Sequence, residues 1–303
     1  MNTTTLANPC RPMHTALSVL IPIICVLIMA ATVPALWPST GTPYTITNFR
    51  GETVTIRNHG LYRLDTVSSA AQMQANDLLS LILAAPALIV SHALARKGSL
   101  RARLLQSGLL GFVVYTYLTM CVGAAYNPLF LIYTALFGTS LFALILSFQT
   151  IDISTLPEAF SDRIPRKTIA AILLAATVFI ALAWLGLISS TLRPGSIPPL
   201  ENTTSLFIQA LDLGLIVPTC ATTAVLLFKR RAWGYLLAAI GLVKFVTLGL
   251  AVTLMVISMH RAGVSTAPML AIMFPILTAL GLIATYLLFI NIRTTASLQL
   301  QNR

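Results

Sequence analysis

Two stretches of this chain decide its fold: residues 205–228, SLFIQALDLGLIVPTCATTAVLLF, and residues 233–258, WGYLLAAIGLVKFVTLGLAVTLMVIS, joined by the basic turn Lys229-Arg230-Arg231. A helix rises about 1.5 Å per residue, so roughly 20 apolar residues cross the hydrocarbon of a bilayer. Each stretch is long enough to do so. Each also carries one ionisable side chain where lipid would lie, Asp212 in the first and Lys244 in the second. A lone charge at that depth costs roughly 3 kcal/mol or more, so such residues face other helices or a wet cavity and find partners. The pair on adjacent antiparallel helices has two readings: an ion pair fixing helix register, or a titrating pair in a proton- or ion-coupled site.

The rest of the chain has the same character. It is 57% hydrophobic and 9% charged, with a mean hydropathy of +0.87, against about 25% charged residues in soluble domains. These values describe a polytopic membrane protein whose main partner is the lipid bilayer. The net charge of +11 would suit nucleic acid, but the Lys and Arg residues stand in short clusters between apolar runs and form no basic face interleaved with aromatics. No nucleic-acid partner is expected. Cys10, Cys25, Cys121 and Cys220 are scattered without a CxxC or a Cys/His spacing, and His14, His59, His92 and His260 are far apart. Neither a disulfide framework nor a metal or haem site is indicated, and no cofactor is expected.

Six further apolar runs have spanning length: Thr15–Trp37, Asp77–Leu94, Leu104–Ala124, Leu129–Phe148, Thr168–Thr191 and Ala267–Ile290. The expected fold is an all-α membrane bundle of about eight transmembrane helices, with a small extracytoplasmic β-hairpin cap between helices 1 and 2. The chain then divides into a cytoplasmic leader (1–14), the first span (15–37), the cap (38–76), spans two to four (77–148), a cytoplasmic amphipathic loop (149–167), spans five to eight (168–291) and a cytoplasmic tail (292–303). A cleaved signal peptide is the rival reading of the first run, with Val33-Pro34-Ala35 as the cleavage site. Its apolar core exceeds the usual length and its leader is weakly basic, which favours a retained helix.

Within the cap, Tyr44–Thr47 and Thr53–Ile56 alternate with period two around Arg50-Gly51-Glu52, a hairpin signature. Asn58-His59-Gly60 offers a second turn before an extended Leu61–Asp65. Asn127-Pro128 makes spans three and four an antiparallel hairpin, and Arg193–Thr204 is a Pro-rich external loop. With the amino terminus inside, thirteen Lys and Arg residues fall on the cytoplasmic side, five fall outside (Arg50, Arg57, Arg63, Arg193, Arg261), and Lys244 lies within a span. The reverse orientation would invert that bias, so both termini are placed in the cytoplasm.

The chain contains an echo. Gly108–Val113 resembles Gly241–Val246 at an offset of 133, and Asn76-Asp77-Leu78-Leu79 resembles Leu211-Asp212-Leu213-Gly214 at an offset of 135. A parallel four-plus-four repeat accounts for both, because four spans return the chain to its starting side.

Polar side chains gather toward the extracytoplasmic half. Asp77, Tyr133 and Asp212 lie where spans two, four and six enter, and Tyr115 and Tyr117 where span three leaves. Together with Lys244 they suggest an outward-facing polar cavity for a small solute or ion below the cap. Against this, tyrosines also populate an interfacial aromatic belt, and an Asp in a first helical turn simply matches the helix dipole. Pro218 frees a backbone carbonyl near Gly214, which in a transporter can face an ion. Signatures of catalysis (HExxH, GxSxG, GxxxxGK, paired acidic motifs) are missing, which argues against an enzyme.

Several phrases resemble those of a group of uncharacterised multi-pass membrane proteins of prokaryotes: Gly60–Asp65, Tyr115-Thr116-Tyr117, Tyr126-Asn127 with Phe130 and Tyr133, Asp212-Leu213-Gly214 with Pro218, and Trp233-Gly234-Tyr235. The resemblance implies a prokaryotic plasma membrane and no particular activity. Three functions therefore stand: a transporter or permeation-type protein using the polar cavity, a membrane-embedded enzyme or lipid-binding protein acting on a headgroup, and a non-catalytic accessory or sensor subunit whose cap binds a partner.

Overall fold

The computed structural model describes residues 9–196 and 200–293. The first residues of the leader, residues 197–199 of the Pro-rich loop and the end of the tail lie outside the described residues.

Eight helices are long and apolar enough to cross a bilayer: α1 (Thr15–Leu36), α2 (Val67–Arg96), α3 (Leu100–Gly123), α4 (Phe130–Gln149), α5 (Arg166–Thr191), α6 (Phe207–Phe228), α7 (Ala232–Arg261) and α8 (Pro268–Ile290). Between α1 and α2 stand the strands β1 (Tyr44–Thr47) and β2 (Thr53–Ile56), paired antiparallel with Tyr44 opposite Ile56 and Thr47 opposite Thr53. These are the strands that period-two alternation predicts. β1 is exposed throughout, whereas β2 buries Val54 and Ile56, so the hairpin seats one face on the helices. A lone two-stranded hairpin is barely stable in water, and this seating is what holds it.

The cap is shorter than its sequence suggests. Thr66 caps α2 by accepting a hydrogen bond from the Ser69 amide at 3.1 Å, so the helix begins at Val67 and the cap ends at 66, not 76. The polar face Ser68, Gln72, Asn76 hides this helical turn from a hydropathy window. Asp77 is consequently ten residues inside α2 and buried, and the helix-dipole account of it fails. Leu61–Leu64 form a turn, not a strand, with a single bridge from Ile56 to Thr66. Residues 150–165 are a compact connection whose Ile151, Leu156, Phe160 and Ile164 are buried in the core.

The helices form two groups of four, α1–α4 and α5–α8. They meet where α3 and the first part of α2 pack on α7. Small residues allow the close approach. A Cβ built on Gly108 of α3 would lie 2.5 Å from Val243 Cβ of α7, as expected where helices associate through close van der Waals contact in lipid. α3 is the most buried of the eight spans, while α5, α6 and α8 leave most of their surface to lipid.

The groups repeat one another. α2 widens into a π-helical turn at Ser80–Ala84, followed by Pro86, and α6 does so at Asp212–Ile216, followed by Pro218. In each, an amide bonds five residues back, Ala85 to Ser80 O and Val217 to Asp212 O. The turn starts, the prolines, the helix ends (Arg96, Phe228) and the next helix starts (Leu100, Ala232) all lie 132 residues apart. In this register the two aspartates are not counterparts: Asp212 matches Ser80, and Asp77 matches Gln209.

Candidate functional site

The six residues singled out by sequence fall into two clusters on opposite sides of α3. The reason is helical geometry. Tyr115 and Tyr117 are two positions apart, about 200° around a helix of 3.6 residues per turn, and cannot face one space. Tyr115 points at the second group of helices and Tyr117 at the first.

The second-group cluster centres on Asp212, the first residue of the π-helical turn in α6 and almost wholly buried. One carboxylate oxygen accepts the Tyr115 hydroxyl at 2.6 Å and the other accepts the Trp184 indole N–H of α5 at 2.8 Å. Lys244 makes no direct ion pair with Asp212 among the described residues; the ion pairs found there are Arg11–Asp152 and Arg293–Asp162. Its ammonium instead sits over the face of the Tyr115 ring, 3.7 Å from the centroid, with Phe112 at 5.7 Å. Tyr115 therefore stands between the charges, its ring facing the cation and its hydroxyl donating a hydrogen bond to the anion. A cation over an aromatic face gains roughly 0.5–2 kcal/mol, and a hydrogen bond to a charged group about 1.5–3 kcal/mol. Both charges are thus compensated without contact.

Beside Lys244, between α5, α6 and α7, is a cavity of about 20 Å³ with mostly apolar walls, where Thr177, Cys220 and the lysine are the polar elements. A space of that size holds about one water. Gly241 leaves part of it open, since a Cβ there would touch nothing.

The first-group cluster holds Asp77, Tyr117 and Tyr133, all buried. Tyr62 reaches down from the cap and donates its hydroxyl to Asp77 at 2.6 Å. Burial and the adjacent carboxylate raise the Tyr62 hydroxyl well above the ordinary tyrosine range, so it remains a donor. The Tyr117 and Tyr133 rings stack at 6.2 Å. Their hydroxyls, and that of Ser80, are buried without a hydrogen-bond partner.

Above this cluster the cap locks onto the α5–α6 connection. Asn48 and Arg50 donate to the Glu201 carbonyl, each at 2.8 Å, Arg50 also reaches the Thr203 carbonyl at 2.9 Å, and the Thr66 hydroxyl donates to the Glu201 carboxylate. The clamp holds Glu201 at a positive φ of 52°. Asp65 is buried beneath it, accepting the Ala125 amide at 2.9 Å through one oxygen while the other has no partner. Burial lifts its carboxyl to about 6, the Ala125 hydrogen bond pulling against that and the nearby Glu201 adding to it.

Three of these functional side chains escaped the reading of the sequence. Trp184 could have been found, because an indole N–H within a span needs an acceptor. Tyr62 and Ser80 carry no local signal, since their roles arise from contacts made by the fold. Among the described residues no three His, Cys, Asp or Glu side chains stand together as a metal-holding group.

No protein-family model matches the chain, nor does any curated protein or solved structure.

Proposed function

We propose that this protein is a transporter or permeation-type protein of a prokaryotic plasma membrane, its termini cytoplasmic, in which Asp212, Tyr115, Trp184 and Lys244 form an ion-coupling centre. One observation carries the reading: a buried carboxylate and an ammonium are kept apart by a tyrosine, at a π-helical break followed by proline, beside a space the size of one water. A structural ion pair would close directly. Here the charges are individually supported, so each can gain or lose a proton or an ion without the other collapsing onto it. Breaks of this kind in spanning helices recur at functional sites and at the ion sites of transporters. The cavity size favours a proton or a small ion as the species handled in this conformation, with any larger solute requiring the helices to part.

The orientation rests on the basic residues. Among the described residues, twelve Lys and Arg lie at the end opposite the cap and five at the cap end, and the positive-inside rule puts the richer end in the cytoplasm. The test is reconstitution into liposomes carrying an internal pH or ion indicator. Imposed proton, Na⁺ or K⁺ gradients should dissipate faster with the protein than without, and Asp212→Asn and Lys244→Met should each abolish the excess while eluting as folded protein. Flux equal to empty liposomes under every gradient, or unaltered flux in both variants, refutes the proposal.

A further inference from the structure

Asp77 differs from Asp212 in having no cation. It is 1% exposed, sits ten residues inside a spanning helix of 30, and no Lys or Arg pairs with it among the described residues. The groups facing it are Tyr62 from the cap, Ser80 on its own helix, Tyr117 on α3 and Tyr133 on α4, with Asp65 the nearest further acid at the cap edge. None is basic. A carboxylate walled in by neutral groups, with one hydrogen bond, bears most of the desolvation cost of a buried charge, and the usual outcome is neutralisation.

The neighbouring hydroxyls do not offset that cost. Ser80, Tyr117 and Tyr133 are 0%, 1% and 1% exposed, and their oxygens accept nothing. Ser80 lies three positions along from Asp77, on the same helical face, yet its hydroxyl makes no hydrogen bond to the carboxyl.

We infer that Asp77 is a proton-binding site: in the resting protein its carboxyl carries a proton while one of its oxygens accepts from Tyr62. Release of that proton to water on the cap side requires Tyr62, and with it the cap, to lift from the carboxyl. The site belongs to the first group of helices, shares no residue with the Asp212 centre, and does not depend on the transport reading.

The experiment is infrared spectroscopy of the purified protein in detergent, following the C=O stretch of protonated carboxyl groups between about pH 6 and pH 9. A band from a buried carboxylic acid should persist at neutral pH in the wild type and in Asp65→Asn and Asp212→Asn, and be lost in Asp77→Asn. Tyr62→Phe should keep the band and move it to higher frequency, because the carboxyl oxygen loses the hydroxyl that donates to it. Should Asp77→Asn not fold, survival of the band in the double variant Asp65→Asn/Asp212→Asn, which removes the other buried aspartates among the described residues, assigns it to Asp77. A wild type without such a band at neutral pH overturns the inference. So does thermal stability that rises with NaCl but not with choline chloride and loses that dependence in Asp77→Asn, which would mean a metal cation occupies the place of the proton.

Discussion

Tyr115 holds the Asp212 centre together in two separable ways, and Tyr115→Phe removes only one of them. The ring under the Lys244 ammonium remains, while the hydroxyl that donates to Asp212 at 2.6 Å is deleted. A hydrogen bond to a charged group contributes about 1.5–3 kcal/mol, and Asp212, almost fully buried, has only Trp184 left to answer it. The expected loss is about 2 kcal/mol of stability. Tyr115→Leu removes the aromatic face as well and should cost a further ~1 kcal/mol. Reversible unfolding in mixed micelles with increasing SDS fraction measures both. The decisive arm is a double-mutant cycle with Asp212→Asn, which keeps the shape but removes the charge. In that background Tyr115→Phe should cost less than half as much, a coupling of about 1 kcal/mol or more. A Tyr115→Phe variant as stable as wild type, or one equally damaged in both backgrounds, would refute the argument that the hydroxyl supports the Asp212 charge.

Asp65 gives a pH dependence of defined sign. Its carboxyl is held at about 6 in the folded protein against 3.8 ordinarily, so the folded state binds the proton more tightly. The associated stability, about 3 kcal/mol, is fully present below about pH 4 and lost as pH rises through 6; thermal unfolding from about pH 4 to 8 should show this decline, and Asp65→Asn should flatten it and be the more stable protein at neutral pH. Arg50→Ala deletes the donor shared by Glu201 and Thr203, so amide exchange of residues 200–204 should speed up about tenfold, corresponding to roughly 1.4 kcal/mol, with the α3–α7 packing unchanged. Gly108→Ala puts a Cβ 2.5 Å from that of Val243 and should destabilise by about 1–3 kcal/mol, while Val243→Ala added to it should recover most of the loss by returning the volume. If the double variant is no better than Gly108→Ala alone, the contact between α3 and α7 is not the close one described.

Much of the architecture was legible in the linear chain because it depends on local terms. A run of about 20 apolar residues must be a helix in lipid, where every amide needs an internal partner, so eight spans follow from hydropathy alone. The hairpin strands follow from alternation and a turn, and match residue for residue. Boundaries were legible only where polarity changes at the helix end. The polar first turns of α2 read as cap, and that moved Asp77 to a helix start it does not occupy. The echo between the halves was visible as a sequence offset, but the structural register shifts it, since the π-helical turns and prolines align at 132 residues rather than the aspartates at 135.

The chemistry of the polar clusters depends on distance across the fold. That Tyr115 bridges Asp212 and Lys244 while Tyr117 lies on the Asp77 side was settled by the packing of α3 between two groups of helices. That Trp184 answers Asp212 and Tyr62 answers Asp77 was settled by loops and spans meeting over separations of 28 and 15 residues. Hydropathy is summed along a chain and therefore records which segments enter the bilayer. Compensation of a buried charge is decided within a few ångströms in three dimensions, and only the folded arrangement chooses which side chain supplies it.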